Sequence, residues 1–329
     1  MRTDTAHYVS AAALWLPETA STAEEAVAAG TIRRRAAEAE GFSQVTVCHD
    51  RTVAAMAAEA ARAALDDAGI APGEVDLLIH AWVHQQGTGN WNPPHHVARL
   101  VGAEHAVALG LQQQSNGGAA AIEAALNAMA VDLRVTTALI TTADQFTDIP
   151  QGRWSVLSDG GPLGDGGTAA VLTRAPGPLL IESIASYGDP TLEAEFPGRD
   201  PFGPPPEITD EPGSAFRNQD VLKRMRHCVE QAVQYALDDA RLSPDAPTLL
   251  TVLPLRLGHT FIDWTVRSAL PAPLQDKIQT HGSRTGHLGA GDLLANLADI
   301  VSRPPPPDSR ILLVSVGAGY TATCLIVRT

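Results

Sequence analysis

Apolar and polar positions follow two rhythms along the chain, and each rhythm predicts a different kind of element. Over residues 52–69, Val53, Met56, Ala57, Ala60 and Ala64 share one helical face, and the pattern stops at Gly69, a helix terminator. The apolar run "VDLLIHAWV" (75–83) predicts a buried strand, "PPHHVARLVG" (93–102) a short helix with proline in its first turn, and "HAVALGLQQQ" (105–114) a second strand. Ile122, Ala125, Leu126 and Met129 then recur at helical spacing, and strands are expected over 135–145 and 167–174, linked by the glycine-rich "SDGGPLGDGG". That linker lacks the GK[ST] ending of a phosphate loop and leads into a strand, so it is expected to be a structural turn.

The second half repeats the same grammar. A strand is expected over 178–188, and a helix over 216–240 with Leu222, Met225, Val229, Ala232 and Val233 inward. A strand at 248–254, a helix at 292–301, a strand at 310–316 and a last strand to residue 329 follow. "TAAVLTR", ending at Arg174, echoes "TATCLIVRT" near the carboxyl end, and "TALITTADQF" echoes "RILLVSVGAGY", which points to an internal duplication. The proline-rich stretch 195–213 has no period and is expected to be a loop that could cover a site.

At 329 residues the chain is long enough for two domains or one duplicated domain. Hydrophobic residues make up 44% and aromatics only 5%, so helices and strands pack mainly through Ala, Val and Leu, as in an α/β enzyme. The net charge of -14 argues against general affinity for nucleic acid or anionic membranes. Cys48, Cys228 and Cys324 suit neither a disulfide framework nor a zinc site, which fits a reducing cytoplasm. No run reaches the roughly 18 apolar residues of a membrane span, and "MRTDTAHYVS" lacks a signal-peptide core. His80, His84, His95 and His96 lack a nearby carboxylate or cysteine set, so no metal site is expected.

The junction "LQQQSNGG" (111–118) passes from strand to helix through Ser115. The serine suits either a helix N-cap or a nucleophile at a helix end, and its immediate neighbours leave both open.

"LWLPETA", "DDAGIAPGEVDLLIHA", "ALGLQQQSNGG", "PLGDGGTAAVL", "GHLGAGDLLANLADIV" and "VGAGYTATCLIVR" together span nearly the whole chain. In their order and spacing they resemble the thiolase fold and, more narrowly, the β-ketoacyl-acyl-carrier-protein synthase III (KAS III) family. The resemblance implies a duplicated αβαβα layered sandwich of two similar halves, residues 1–175 and 176–329. The family's cysteine nucleophile falls on Ser115. Its "VPH" histidine falls on Leu255 and its "HGN" asparagine on His287, an alignment that runs without a gap from Gly286 to Val301. An alternative register would use "HGS", making His281 the motif histidine and Ser283 the asparagine replacement.

A serine needs a base within hydrogen-bond reach to act as a nucleophile at neutral pH, and His287 is the residue expected to supply it. Asp292, five residues on, is expected to orient the histidine, although an acid in a first helical turn is also favoured by the helix dipole alone. By resemblance the oxyanion hole consists of the backbone N–H groups of Ser115 and Ala318. Loss of the histidine at Leu255 argues against decarboxylative condensation and for acyl transfer. Similar enzymes move acyl groups onto sugars, cyclitols or carrier proteins in polyketide and antibiotic pathways, which implies acylation of a small-molecule acceptor. The donor so implied is an acyl-phosphopantetheine thioester on coenzyme A (CoA) or an acyl carrier protein, with no other cofactor, and the oligomer implied is a homodimer. Lys223, Arg224 and Arg226 in "VLKRMRH", or the "IRRR" at 32–35, are the basic residues expected to meet an acidic carrier, if they are not simply a solvated face. A starter-unit ketosynthase, or a catalytically inactive subunit supporting a partner, are the competing functions. An α/β-hydrolase is disfavoured because "QQSNGG" is not G-x-S-x-G.

Overall fold

The computed structural model describes residues 6–147, 152–154, 160–195 and 218–329. The predicted loop at 195–213, apart from Glu195, and Ser158 and Asp159 of the glycine-rich linker lie outside the described residues.

The strands are β1 (His7–Trp15), β2 (Ala20–Thr22), β3 (Gln44–Thr46), β4 (Leu77–Ala81), β5 (Val107–Leu111), β6 (Thr137–Asp144), β7 (Gly166–Thr173), β8 (Leu179–Gly188), β9 (Leu249–Pro254), β10 (Arg310–Gly317) and β11 (Thr321–Arg328). The helices are α1 (Ala23–Ala28), α2 (Arg34–Glu40), α3 (Val53–Ala68), α4 (Pro93–Val101), α5 (Gly117–Val131), α6 (Gln219–Ala240), the short turns α7 (His259–Phe261) and α8 (Ala272–Gln275), and α9 (Asp292–Ser302). The sequence patterns place each major element within a few residues of its bounds. They miss the short β2 and β3, and among the strands of the large sheet they miss β1. Its "SAAALW" run has small residues in place of a clean alternation, because both of its edges are paired and its Ala11 and Ala12 are buried.

Nine strands join in the order β5-β4-β6-β7-β1-β8-β11-β10-β9. From the central β1–β8 pair outward, each side is antiparallel through its second and third strands and parallel from the third to the fourth. The echoing segments occupy matching places, β7 opposite β11 and β6 opposite β10. The division at residue 175 falls in the connection between β7 and β8. This is a mixed α/β arrangement with matching halves, as the resemblance to the thiolase fold implied. Helices α5 and α9 pack against each other and against strands of both sides, α3 covers β1, β6 and β7 with α4 beside it, and α6 covers β8 and β11. The layers thus run helix, strand, helix, strand, helix.

The two ends of the sheet differ. β9 exchanges backbone hydrogen bonds with residues 277–279, Val252 N–H donating to Lys277 O and Gln279 N–H to Val252 O. β5 is an edge that exposes Val107 (61%) and Leu109 (49%). Among the described residues no helix is long and apolar enough to cross a membrane.

The central layer depends on a close approach at the start of α5. A Cβ on Gly118 would lie 2.6 Å from the Ala290 carbonyl oxygen and 2.7 Å from Leu294 Cδ1, so only glycine lets α5 rest on the turn that opens α9. Gly118→Val is expected to cost about 1–3 kcal/mol of stability, seen as a melting temperature lowered by several degrees. Gly73→Ala, where a Cβ meets nothing within 4 Å, serves as the neutral control.

Candidate active site

Ser115 sits in a tight junction between β5 and α5. Gln114 just before it has φ +50°, a left-handed conformation uncommon for a residue with a side chain and found disproportionately at functional sites. Asn116, not Ser115, is the N-cap residue of α5, and its side chain turns inward to donate to Gln113 Oε1 and Thr323 Oγ1. The capping explanation for Ser115 therefore falls away, and its hydroxyl is left to the cavity.

His287 reaches Ser115 from the other half of the chain. Its backbone is clamped on both sides, its N–H donating to Pro162 O and its carbonyl accepting from Gly164 N–H, each at 2.9 Å. The ring Nε2 lies 2.7 Å from Ser115 Oγ, and Nδ1 lies 2.6 Å from Asp292 Oδ2. Asp292 opens α9 and is fully buried; its Oδ1 accepts from Leu288 N–H and its Oδ2 also from Arg256 N–H, each at 2.8 Å. A carboxylate so placed keeps the imidazole proton on Nδ1 and turns the bare Nε2 towards the serine hydroxyl. His281, the alternative base, instead holds Asp299 Oδ2 through Nδ1 at 2.9 Å.

Burial works against a charged imidazole at His287, but the Asp292 carboxylate, its hydrogen bond and the charge of Asp144 outweigh it, and the pKa is raised. Asp144 ends β6 and is a residue that the sequence pattern gave no reason to single out. Its buried carboxyl accepts from Val83 and His84 N–H and from Ala290 N–H, tying the loop after β4 to the turn before α9. Burial pushes its pKa up to about 7 against the pull of those three N–H groups and of His287. Arg256 is the second residue the pattern did not mark. Its guanidinium, only 3% exposed, bonds Asp299, Asn296 Oδ1 and Thr285 Oγ1, while its backbone N–H fixes Asp292.

Ser115 and His287 open on a cavity of about 250 Å³, walled by Val83, Phe146, Leu163, Met225, Leu257 and Phe261 and floored by Val316, Gly317, Ala318 and Tyr320. The turn between β10 and β11 is pressed onto the serine junction, where a Cβ on Gly317 would lie 2.9 Å from Asn116 N. Leu255 is buried in the core after β9.

The basic residues are less uniform than their sequence. Lys223 is exposed, Arg224 is held by Asp189 and Thr191, and Arg226 donates through Nε to Leu222 O. All three line a shallow cleft on the outer face of α6, with Ser268 across from them. His80 is buried between Thr141 Oγ1 and Gln86 Oε1, His84 meets the edge of Phe146 and His96 packs on Trp91, so these three histidines face different partners.

The Thiolase N-terminal domain family matches residues 35–141. The β-ketoacyl-[acyl-carrier-protein] synthase III of Bordetella petrii is 25% identical over 281 residues, 84% of this chain and 82% of that protein. Among solved structures, the acyltransferase ChlB3 is similar with a TM-score of 0.88 and 25% identity, 98% of each chain being covered. The 3-oxoacyl-[acyl-carrier-protein] synthase III of Aquifex aeolicus VF5 has a TM-score of 0.79 at 18% identity, covering 98% of this chain and 100% of that one.

Only neutral His287 can accept the Ser115 proton, and its pKa is raised above that of an ordinary imidazole. Labelling of Ser115 by an organophosphorus fluoride, followed by mass, is therefore expected to be slow at acid pH and to climb as pH rises through the raised pKa. Asp292→Asn removes the charge that raises it. The midpoint is expected to move to lower pH and the plateau to fall about 10²–10⁴-fold.

Proposed function

The chain is a KAS III-like member of the thiolase superfamily, whose enzymes transfer or condense acyl groups, and from that premise we propose that it is an acyltransferase using Ser115 as its nucleophile. The observation that carries this reading is the unbroken line from Ser115 Oγ to His287 Nε2 at 2.7 Å and from His287 Nδ1 to Asp292 at 2.6 Å.

In the proposed reaction His287 Nε2 takes the Ser115 proton as Oγ attacks the carbonyl of an acyl thioester, on CoA or an acyl carrier protein. Backbone N–H groups at Ser115 and Ala318 hold the oxyanion, each such donor being worth about 3–4 kcal/mol at the transition state. The C–S bond breaks, His287 returns its proton to the leaving thiolate, and an acyl ester remains on Ser115. The acceptor's hydroxyl or amine then gives its proton to His287 and attacks the ester, and Ser115 leaves with that proton restored. The acceptor proposed is a sugar, cyclitol or similar intermediate of polyketide or antibiotic biosynthesis.

Condensation is disfavoured on chemical grounds. The site has a carboxylate-paired base beside Ser115, and a buried leucine, Leu255, at the position where the family resemblance calls for a histidine. The carrier is proposed to meet the outer face of α6 at Lys223 and Arg226, with Arg224 serving mainly to anchor Asp189.

Intact-mass measurement after mixing with an acyl thioester tests the reading. An added acyl mass is expected on the native chain, absent in Ser115→Ala and formed about 10²–10⁴-fold more slowly in His287→Ala. An adduct that survives Ser115→Ala unchanged would sink the proposal. Release of labelled carbon dioxide from a malonyl donor would replace it with a starter-unit ketosynthase.

The open edge at β5 supports a homodimer, because a free apolar edge strand is a template for pairing with a second chain. Leu109→Lys is expected to convert the dimer to a monomer in light scattering coupled to size exclusion. A native chain that already runs as a monomer at micromolar concentration would rule the pairing out.

A further inference from the structure

Arg256 meets the Ser115–His287–Asp292 line through its main chain and again through its side chain. We propose that Arg256 is a positioning residue of that line. Its backbone N–H and guanidinium fix the Asp292 carboxylate and the turn of His287, and its charge limits how firmly the carboxylate keeps the imidazole protonated. This rests on reading the three residues as one nucleophile, base and acid, and deepens that reading.

The sequence of α9 prepares the place. Asp292, Asn296 and Asp299 stand four and three positions apart, so they share one face of the helix, and the segment after β9 docks along it. Asn296 Nδ2 donates to Pro254 O at 2.9 Å, and the Arg256 N–H donates to Asp292 Oδ2 at 2.8 Å. The guanidinium runs on along the same face to Asn296 Oδ1 at 3.3 Å and Asp299 Oδ2 at 2.6 Å. Its third bond reaches Thr285 Oγ1 at 3.3 Å, and that hydroxyl donates to Gly286 O, the carbonyl beside His287. Arg256 therefore holds the acid directly and the base through one bridging hydroxyl.

The charges around this residue are few and largely buried, so they act on one another with little screening. His287 faces Asp292 and feels Asp144. Arg256 lies among Asp292 and Asp299, and Asp299 is shared with His281 Nδ1 and attracted by Arg303 at the end of α9. Beyond Thr46, which bonds Thr285 O, Arg153 and Asp165 pair with each other, while Glu40 is taken up by Thr260. Burial lowers the Arg256 pKa and the two carboxylates oppose the fall; a guanidinium starts so far above neutrality that it stays charged. One cation thus stands between two anions. Removing it leaves Asp292 and Asp299 uncompensated, favours the imidazolium and raises the His287 pKa, whereas neutralising Asp299 frees the cation to act on Asp292 and lowers it.

The test follows the titration of His287 by NMR in the full chain with 13C-labelled histidine, its signal being the one lost in His287→Gln. Labelling of Ser115 by an organophosphorus fluoride is measured across the same pH range, and melting curves check that each variant folds. Arg256→Gln is expected to raise the midpoint by about 0.5–1 pH unit and Asp299→Asn to lower it by a similar amount. Arg256→Lys keeps the charge but loses the planar fork, so its midpoint is expected to stay near the native one while labelling slows about 10-fold. Arg284→Gln removes a cation from the same turn, but one exposed to solvent, and is expected to shift nothing. Midpoints that stay in place, or that move the same way in Arg256→Gln and Asp299→Asn, overturn the proposal. So does an equal shift in Arg256→Lys or in Arg284→Gln. If Arg256→Gln does not fold, Asp299→Asn against the Arg284→Gln control decides, and a midpoint that does not fall overturns it. A native chain whose Ser115 takes no label defeats the acyl-Ser115 reading, while Arg256 is still judged on the titration of His287.

Discussion

The contact on which the site depends is the meeting of the first turn of α5 with the turn that opens α9. Gly118 lies against the carbonyl of Ala290 there, with no room for a side chain. Ser115 and His287 are 172 positions apart, yet the elements that hold them meet here. A separation fixed by packed main chain is far stiffer than one held by long side chains, which is what a 2.7 Å hydrogen bond between a hydroxyl and an imidazole requires. Asp144 reinforces it from below, because one carboxyl gathers N–H groups from the loop after β4 and from Ala290.

Three buried aspartates recur in this arrangement, and each is surrounded by donors. Asp165 accepts from Cys48 N–H and Phe146 N–H and pairs with Arg153. Asp144 takes three N–H groups, and Asp292 takes two together with the imidazole. A carboxylate removed from water persists only when hydrogen bonds replace its hydration, and backbone N–H groups do so without adding a mobile counter-charge. Acidic residues are thus used here as rigid fasteners, within the first half at Asp165, within the second at Asp292, and across the two at Asp144.

Much of the fold could be read from the chain because helix and strand rhythms are local. Gly69 ends α3 in a left-handed cap, as its place after the last apolar position suggested. β1 escaped notice because a strand paired on both edges and lined with alanine loses the alternation that marks a half-exposed one. Ser115 and His287 stand at motif positions and Asp292 five residues beyond, but no local pattern shows that the three meet. His281 and His287 are both histidines in glycine-containing turns, and only tertiary packing sends one to Asp299 and the other to Ser115. Arg256 gave no sign of itself. An arginine between two leucines usually points to water, and its burial depends on Asn296 and Asp299, forty and forty-three positions further on.

The largely apolar wall of the cavity also bears on how long a serine-bound ester would survive. Hydrolysis needs a water molecule held in line with the ester carbonyl, and an ordered water needs two or more polar partners. Away from Ser115, His287 and the turn at Ala318, the side chains around the cavity are mostly hydrocarbon or aromatic and offer few such anchors, so the solvent that enters is poorly placed to react. The lifetime of the intermediate would then be set by the arrival of an acceptor able to engage His287, and the enzyme could wait with its cargo attached.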